Sequence, residues 1–113
     1  MLYAEYEEAL VSNNVEKLTR MFWDSAHAMR FGVSENLFGF EEIAAFRKGR
    51  SPVNLARTMR RLEIVSFGKD FGSVTLEFER SVGGKVVYGR QSQTWVRMAE
   101  GWRIVAAHVS LLG

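Results

Sequence analysis

Cysteine is absent from the 113-residue sequence, and proline occurs once, at Pro52. Without cysteine the chain forms no disulfide and offers neither a thiol nucleophile nor a cysteine-ligated metal site. The two histidines, His27 and His108, cannot complete a tetrahedral metal site by themselves. Because an HExxH motif and a glycine-rich phosphate loop before a helix are also missing, the sequence predicts neither a metal nor another cofactor.

Long apolar runs are missing as well. None approaches the roughly 18 residues that cross a bilayer, and the N-terminal stretch MLYAEYEEAL is acidic and amphipathic, unlike a signal peptide. The formal net charge of +2 is too small to predict a nucleic-acid partner. Together with the absence of cysteine, these features predict a cytoplasmic protein that binds neither membranes nor nucleic acids.

The composition is that of a globular protein, with 47% hydrophobic and 25% charged residues. A chain of this length is the size of one domain, and folding removes about two-thirds of its unfolded surface from water. We therefore expect residues 1–113 to form a single domain that is ordered nearly from end to end.

Helical periodicity dominates the first half of the chain. Apolar residues spaced by three and four predict a helix over residues 2–12 and a second over residues 15–23, which Asn14 can cap. The segment HAMRFGV, residues 27–33, alternates in steps of two and predicts a short strand. A third helix is expected over residues 41–49, with glutamates in its first turn and basic residues at its end.

Strand-like runs make up the second half. They cover residues 56–68, 71–80, 86–98 and 101–112. Because short glycine-containing turns separate them, the runs predict an antiparallel meander. Helices first and a meander afterwards indicate an α+β domain, with the helices packed on one face of a curved sheet.

This order of elements resembles the cone-shaped nuclear transport factor 2-like (cystatin-like, SnoaL-like) fold. The segments MFWDSAHAMRFGVSENLFGFEEIAAFRKGR and GRQSQTWVRMAEGWRIVAAHVS are similar to a narrower group, the AtzH-like family, which includes the oxalurate-catabolism protein HpxZ. The resemblance implies three N-terminal helices on a curved, mostly antiparallel sheet. It also implies the breakdown of small, planar, anionic ureido carboxylates in nitrogen and purine catabolism.

Six arginines fall between residues 30 and 61, and this clustering points to an anionic ligand. Arg30 shares a face of the predicted short strand with Ala28 and Gly32, two small residues that leave room around it. A guanidinium there can bind a carboxylate through two parallel N–H···O bonds. The strand pattern also permits a solvated Arg30 on an outer face, and the family resemblance favours the pocket.

Tyr6 lies on the apolar stripe of the first helix with Leu2 and Leu10, so we expect its ring to point into the domain. Ketosteroid isomerase, a member of the superfamily, uses a tyrosine in its oxyanion hole. The resemblance therefore implies that Tyr6 donates to an oxygen that becomes negative, or passes a proton to a leaving nitrogen. The alternative is a core tyrosine whose hydroxyl reaches the rim.

Arg47 and Arg50 end the third helix, where the helix dipole favours basic residues without any ligand. In the nuclear transport factor 2-like fold this helix borders the mouth of the cone. We therefore expect these arginines to bind the second carboxylate of a substrate that carries two.

The strand that begins near Gly89 has polar residues on both faces. We predict that Arg90 and Ser92 face the ligand, and that the opposite face forms a homodimer contact through Gln91, Gln93 and Trp95. A one-residue slip or a bulge exchanges the two faces, so the opposite assignment stays open.

The sequence does not identify a general base. His108, predicted to share a strand face with Ile104 and Ser110, is a candidate substrate-binding residue, although a lone histidine is typical of a hydrogen-bonded core. The short strand contains no carboxylate, and only Asp24 and Glu35 flank it, which disfavours proton abstraction next to a carbonyl.

Three functions remain. A metal-independent amidohydrolase of small ureido carboxylates is the expected one. The others are a non-catalytic binding or accessory subunit of the same pathway, and an isomerase or cyclase that acts on an apolar ring.

Overall fold

The computed structural model of the chain describes residues 2–49 and 57–112. The helices are α1 (Leu2–Ser12), α2 (Val15–Met21) and α3 (Phe40–Gly49), and the strands are β1 (Met29–Phe31), β2 (Asn36–Phe38), β3 (Thr58–Ser66), β4 (Phe71–Val82), β5 (Lys85–Met98) and β6 (Gly101–Leu111). The predicted α+β class is confirmed, with three helices first and four long strands afterwards.

All six strands form one sheet in the order β2-β1-β6-β5-β4-β3. Its pairings are antiparallel except the one between β1 and β6, which is parallel. The helices cover the inner face of this curved sheet, and the core between them includes Leu18, Ile43, Leu76 and Ile104. The predicted cap of α2 is present, since Asn14 accepts a hydrogen bond from the Lys17 amide at 3.2 Å.

The segment after β1 differs from the sequence prediction. The sequence predicts no strand between residues 33 and 41, whereas Asn36–Phe38 pairs with β1 as β2. The Gly32 amide donates to the Glu35 carbonyl at 2.8 Å, which closes a tight turn and brings the chain back along β1. The hairpin holds Glu35 close to the side chain of Arg30.

The predicted assignment of the two faces of β5 was wrong. Gln91, Gln93 and Trp95 point into the core with exposed fractions of 5%, 2% and 5%, whereas Arg90 and Ser92 are exposed. Burial of a large aromatic side chain contributes on the order of 3 kcal/mol, which the opposite orientation would forfeit. The Trp95 indole N–H donates to Gln93 Oε1 at 3.0 Å, so the glutamine provides the acceptor that a buried indole needs.

A bulge in β6 changes the faces of the final strand. Trp95 lies opposite Ile104 while Thr94 lies opposite Ala106, so Val105 is an extra residue. As a result Ile104 is buried on the inner face, whereas His108 is exposed on the outer face. The expectation that Ile104, His108 and Ser110 share one face was wrong for this reason.

Close packing of β4 against β5 requires Gly89. The residue pairs with Phe78, and a Cβ at position 89 would overlap the Phe78 ring. We expect Gly89→Ala to lower the free energy of unfolding by about 1–3 kcal/mol, the usual cost of overpacking a core. Urea denaturation measures the change. Gly49→Ala is the control, because among the described residues no atom outside its chain neighbours and its own helix backbone lies within 4 Å of its Cβ position. Equal stability of the two variants would contradict the prediction.

Candidate functional site

A cavity of about 300 Å³ opens between the helices and the inner face of the sheet. This volume is at the lower end of the range for small-molecule sites. Its polar and charged lining comes from separate parts of the chain and comprises Tyr6 of α1, Arg30 of β1, Ser34 and Glu35 of the following turn, Arg57 before β3, Arg80 of β4 and Gln91 of β5. The remaining lining side chains are apolar: Leu10, Val33, Phe46, Phe78 and Val109.

Tyr6 reaches the cavity because the apolar stripe of α1 packs against the sheet. Its exposed fraction is only 1%, and its ring contacts Trp95 edge to face with 6.4 Å between centroids. Arg47 Nη2 donates a hydrogen bond to the Tyr6 hydroxyl at 3.3 Å. The indole thus contacts the ring of Tyr6, and the guanidinium contacts its hydroxyl.

The surroundings of Tyr6 favour loss of its proton. Burial raises the pKa of the phenol, but the positive charges of Arg47, Arg30 and Arg57, together with the Arg47 hydrogen bond, outweigh burial and lower the pKa below its ordinary value. A phenol of lowered pKa gives up its proton more readily, which suits a proton donor to a leaving group.

The ionisation of Tyr6 can be measured directly. We expect the near-ultraviolet phenolate absorbance of the wild type, minus that of Tyr6→Phe, to titrate at a lower pH than free tyrosine. Since the folded-state pKa is lowered, the stability that this ionisation contributes is present above the unfolded-state pKa and is lost as the pH falls through the folded-state pKa. Arg47→Met should move the titration upward. A difference titration at or above the ordinary pKa of about 10 would contradict the prediction.

Arg30 enters the cavity from the inner face of β1, with an exposed fraction of 6%. Ala28, two residues earlier and just before β1, is completely buried. The guanidinium lies over the ring of Phe46, 5.1 Å from its centroid, and Nη1 donates to Glu35 Oε2 at 3.1 Å. Among the described residues, this is the one hydrogen bond of the Arg30 side chain, so its other N–H groups are available to a ligand.

Arg57 and Arg80 also line the cavity, and sequence reasoning assigned a site role to neither. Arg57 forms a two-pronged ion pair with Glu7, with Nε–Oε2 and Nη2–Oε1 distances of 2.9 and 2.7 Å, and stacks on Phe78 at 4.5 Å. The cluster of arginines between residues 30 and 61 includes Arg57, but the clustering alone did not distinguish Arg57 from the other members. Arg80 carried no signal apart from its place on the inner face of β4.

Arg47 takes a different position from the expected one at the cone mouth. Its side chain is fully buried and is outside the described lining of the cavity, so it reaches the site only through the Tyr6 hydroxyl. Burial and the charge of Arg30 lower the pKa of Arg47, while Tyr6 and Glu35 act in the opposite direction. Its predicted contact with a substrate carboxylate stays a prediction, and the observed partner of its guanidinium is the Tyr6 hydroxyl. Arg50 lies outside the described residues.

The other predicted binding residues are on the outer face of the sheet. Arg90, Ser92 and His108 line a shallow, open groove there with Thr75 and Ser110, and Arg90 Nη2 donates to Ser110 Oγ at 3.1 Å. His108 contacts the Phe31 ring edge to face. The β5 orientation directs Arg90 and Ser92 away from Tyr6 and Arg30. His108, which the β6 bulge places on the outer face, also lines a minor cavity with Tyr6 and Arg30.

Within residues 2–49 and 57–112, no group of three or more histidine, aspartate or glutamate residues is arranged to hold a metal ion. Within the same ranges, no helix is long and apolar enough to cross a membrane.

Comparison with known proteins agrees with this architecture. A family model described as AtzH-like matches residues 1–113. A crystal structure of a protein with unknown function from Pectobacterium atrosepticum is 46% identical and superposes with a TM-score of 0.94, covering 99% of this chain and 86% of the other. A cystatin-like fold protein from Burkholderia xenovorans is 42% identical, with a TM-score of 0.89 over 98% of this chain and 86% of the other.

More distant structures share the fold alone. A nuclear transport factor 2-like superfamily protein from Salmonella enterica is 21% identical, with a TM-score of 0.73, and the match covers 96% of this chain and 84% of that one. A search of curated proteins found no match.

Proposed function

From the premise that this chain belongs to the AtzH-like family, we propose that it is an amidohydrolase of nitrogen catabolism that acts on a small ureido carboxylate, such as oxalurate or a dicarboxylated urea. One observation carries the proposal: Tyr6 and Arg30 line the same cavity. An anion-binding guanidinium and a proton-donating phenol are the two groups that cleavage of an anionic amide needs.

Charge complementarity supports an anionic substrate. The described lining holds three guanidinium groups, those of Arg30, Arg57 and Arg80, and one carboxylate, that of Glu35. Because Glu7 also balances the charge of Arg57, these groups together leave one positive charge in excess, and this excess favours a carboxylate over a neutral molecule of the same shape. It also disfavours the isomerase or cyclase alternative, because an apolar ring in the cavity would take water away from these charged groups without forming a hydrogen bond to any of them.

The position of Tyr6 suits the departure of nitrogen. When the substrate carboxylate binds Arg30, the amide lies within the same small cavity as the phenol. Tyr6 can then donate its proton to the leaving nitrogen, or hold the oxyanion of the tetrahedral intermediate. The hydrogen bond from Arg47 orients the Tyr6 hydroxyl.

Purified protein with oxalurate, a dicarboxylated urea and a neutral control such as biuret tests this function. We expect release of ammonia or carbon dioxide from an anionic substrate and none from the neutral one. Absence of turnover across the panel would exclude the amidohydrolase.

A non-catalytic binding subunit is the second candidate, favoured by the ion pairs already present in the cavity wall. Arg57 is paired with Glu7, and Arg30 is paired with Glu35. In a binding site of this kind, the carboxylates of a ligand can replace those of the protein as partners of the arginines. This function predicts that millimolar ligand raises the melting temperature without turnover. No thermal shift with any member of the panel would contradict it.

We also propose a homodimer through the outer face of the sheet. A charged row, Arg61–Glu77–Arg90, crosses β3, β4 and β5 with alternating sign, and such a row can pair with itself after a twofold rotation. Light scattering should give twice the chain mass, and Ala106→Arg on this face should give a monomer. Exposed Glu41→Arg on α3 is the matched control. A wild-type monomer at micromolar concentration would refute the dimer.

A further inference from the structure

Glu35 is the one carboxylate among the described residues that line the cavity. It lies in the turn between β1 and β2, where its backbone carbonyl accepts from the Gly32 amide at 2.8 Å. Its Oε2 accepts from Arg30 Nη1 at 3.1 Å, and its Oε1 accepts from the Ser34 hydroxyl at 3.3 Å. Both carboxylate oxygens are therefore oriented, and the carboxylate is held next to the group that binds the substrate anion.

Gly32 leaves the space that this carboxylate occupies. A Cβ at position 32 would overlap the Glu35 carboxylate and come within 2.9 Å of Arg30 Nη1. Gly32 is not among the glycines with positive φ, so its backbone does not itself require glycine. The missing side chain therefore serves the placement of Glu35 rather than the turn.

We propose that Glu35 is the general base of the amidohydrolase and activates the attacking water. The assignment rests on the proposed function. The Glu35 side chain is 22% exposed while that of Arg30 is 7% exposed, so water reaches the carboxylate beside a guanidinium that is almost closed off. A carboxylate with solvent on one side and the bound substrate on the other has the position of a water-activating base.

The proposed step is balanced without a co-reactant. Glu35 takes one proton from water, and the hydroxide oxygen forms a bond to the carbonyl carbon of the ureido group. The π electrons move to the carbonyl oxygen, and the C–N bond then breaks as they return. The leaving nitrogen takes the Tyr6 proton and departs as ammonia, and the proton held by Glu35 returns to Tyr6 through solvent. The carbamate formed in this way loses carbon dioxide in solution.

The ion pair with Arg30 is compatible with this role. A substrate carboxylate can bind the remaining N–H groups of Arg30. The positive charge of Arg30 is then shared between two carboxylates, which weakens the ion pair between Arg30 and Glu35. The other charged or titratable groups that line the cavity are Tyr6, Arg57 and Arg80. Tyr6 would have to lose its own proton before it could accept one. Glu35 is therefore the one group of the described lining that can accept a proton directly as a carboxylate.

Kinetics on oxalurate test the assignment with Glu35→Gln and Gly32→Ala. We expect Glu35→Gln to lower kcat by about 100-fold or more, the scale of a lost general base. KM should stay unchanged or fall, since the variant cavity is more positive. Gly32→Ala should lower kcat in the same direction by displacing an intact carboxylate. Exposed Glu41→Gln makes the same charge change in α3 and should match the wild type.

Formate separates catalysis from structural support. Added formate should partly restore kcat in Glu35→Ala, because a small carboxylate can fill the vacated space and accept the proton. If Glu35→Gln keeps the wild-type kcat and only binds oxalurate more tightly, Glu35 is a counterion of Arg30 and the assignment is wrong. If the wild type turns over no anionic member of the panel, the amidohydrolase and its base are both overturned.

Discussion

Tyr6→Phe is expected to lower turnover by about 100-fold or more while substrate binding stays nearly intact, the usual scale for one lost oxyanion or general-acid donor. The substitution keeps the ring that packs against Trp95 and removes only the hydroxyl. Steady-state kinetics on the active substrate of the panel measure kcat and KM separately, and the loss should fall on kcat.

The contact with Arg47 adds an effect on stability that the sequence alone does not predict. Nη2 of the fully buried Arg47 donates to the Tyr6 hydroxyl, and its Nε and Nη1 have no hydrogen-bond partner among the described residues. Removal of the hydroxyl therefore leaves another buried donor without its acceptor, at a cost of about 1–3 kcal/mol.

A double variant separates the two effects of Tyr6→Phe. Tyr6→Phe with Arg47→Met removes both partners of the buried hydrogen bond, so stability should recover relative to Tyr6→Phe alone. Turnover should stay low, because the proton donor is still missing. If Tyr6→Phe retains full activity, or if turnover recovers together with stability in the double variant, the catalytic role of Tyr6 is wrong.

Arg30→Ala is expected to weaken substrate binding by about 2–4 kcal/mol, which is about 30- to 1,000-fold in Kd. The guanidinium binds the carboxylate in the ground state and in the transition state alike, so KM should rise more than kcat falls. Calorimetric titration with oxalurate or oxalate measures the change without requiring turnover.

Arg30→Lys is the matched control for this experiment. Lysine keeps the positive charge but cannot form two parallel hydrogen bonds to a carboxylate, so the variant should recover only part of the affinity. Because Glu35 is 22% exposed, it can turn toward water when Arg30 is removed, and the fold should persist. Wild-type affinity in Arg30→Ala would show that the anion binds elsewhere, with the Arg57 and Arg80 guanidinium groups as the remaining candidates in the described lining.

The sequence by itself determined the order and type of the main elements. Spacing of three and four residues identified α1, and alternation around Arg30 identified the short strand whose inner face carries Arg30. The same periodicities placed Tyr6 on the buried stripe of α1. These predictions succeeded because each depends on one element that has a single apolar face, and such an element turns that face inward wherever it packs.

Only the tertiary structure decided which side chains meet. Both faces of β5 carry polar residues, so the alternation does not show which face points inward. The packing of the helices over Trp95 decides it. The extra residue Val105 then exchanges the faces of β6 and moves His108 outward, and a bulge of this kind leaves no periodic signal in a strand that is partly buried on both sides. Arg57 and Arg80 enter the cavity from positions 27 and 50 residues after Arg30 (57 − 30 and 80 − 30), through strand pairing that local sequence does not encode. Glu35 and Arg30, in contrast, are close in the sequence. Their side chains meet only because the chain forms a tight turn at Gly32, where no side chain occupies the space of the Glu35 carboxylate.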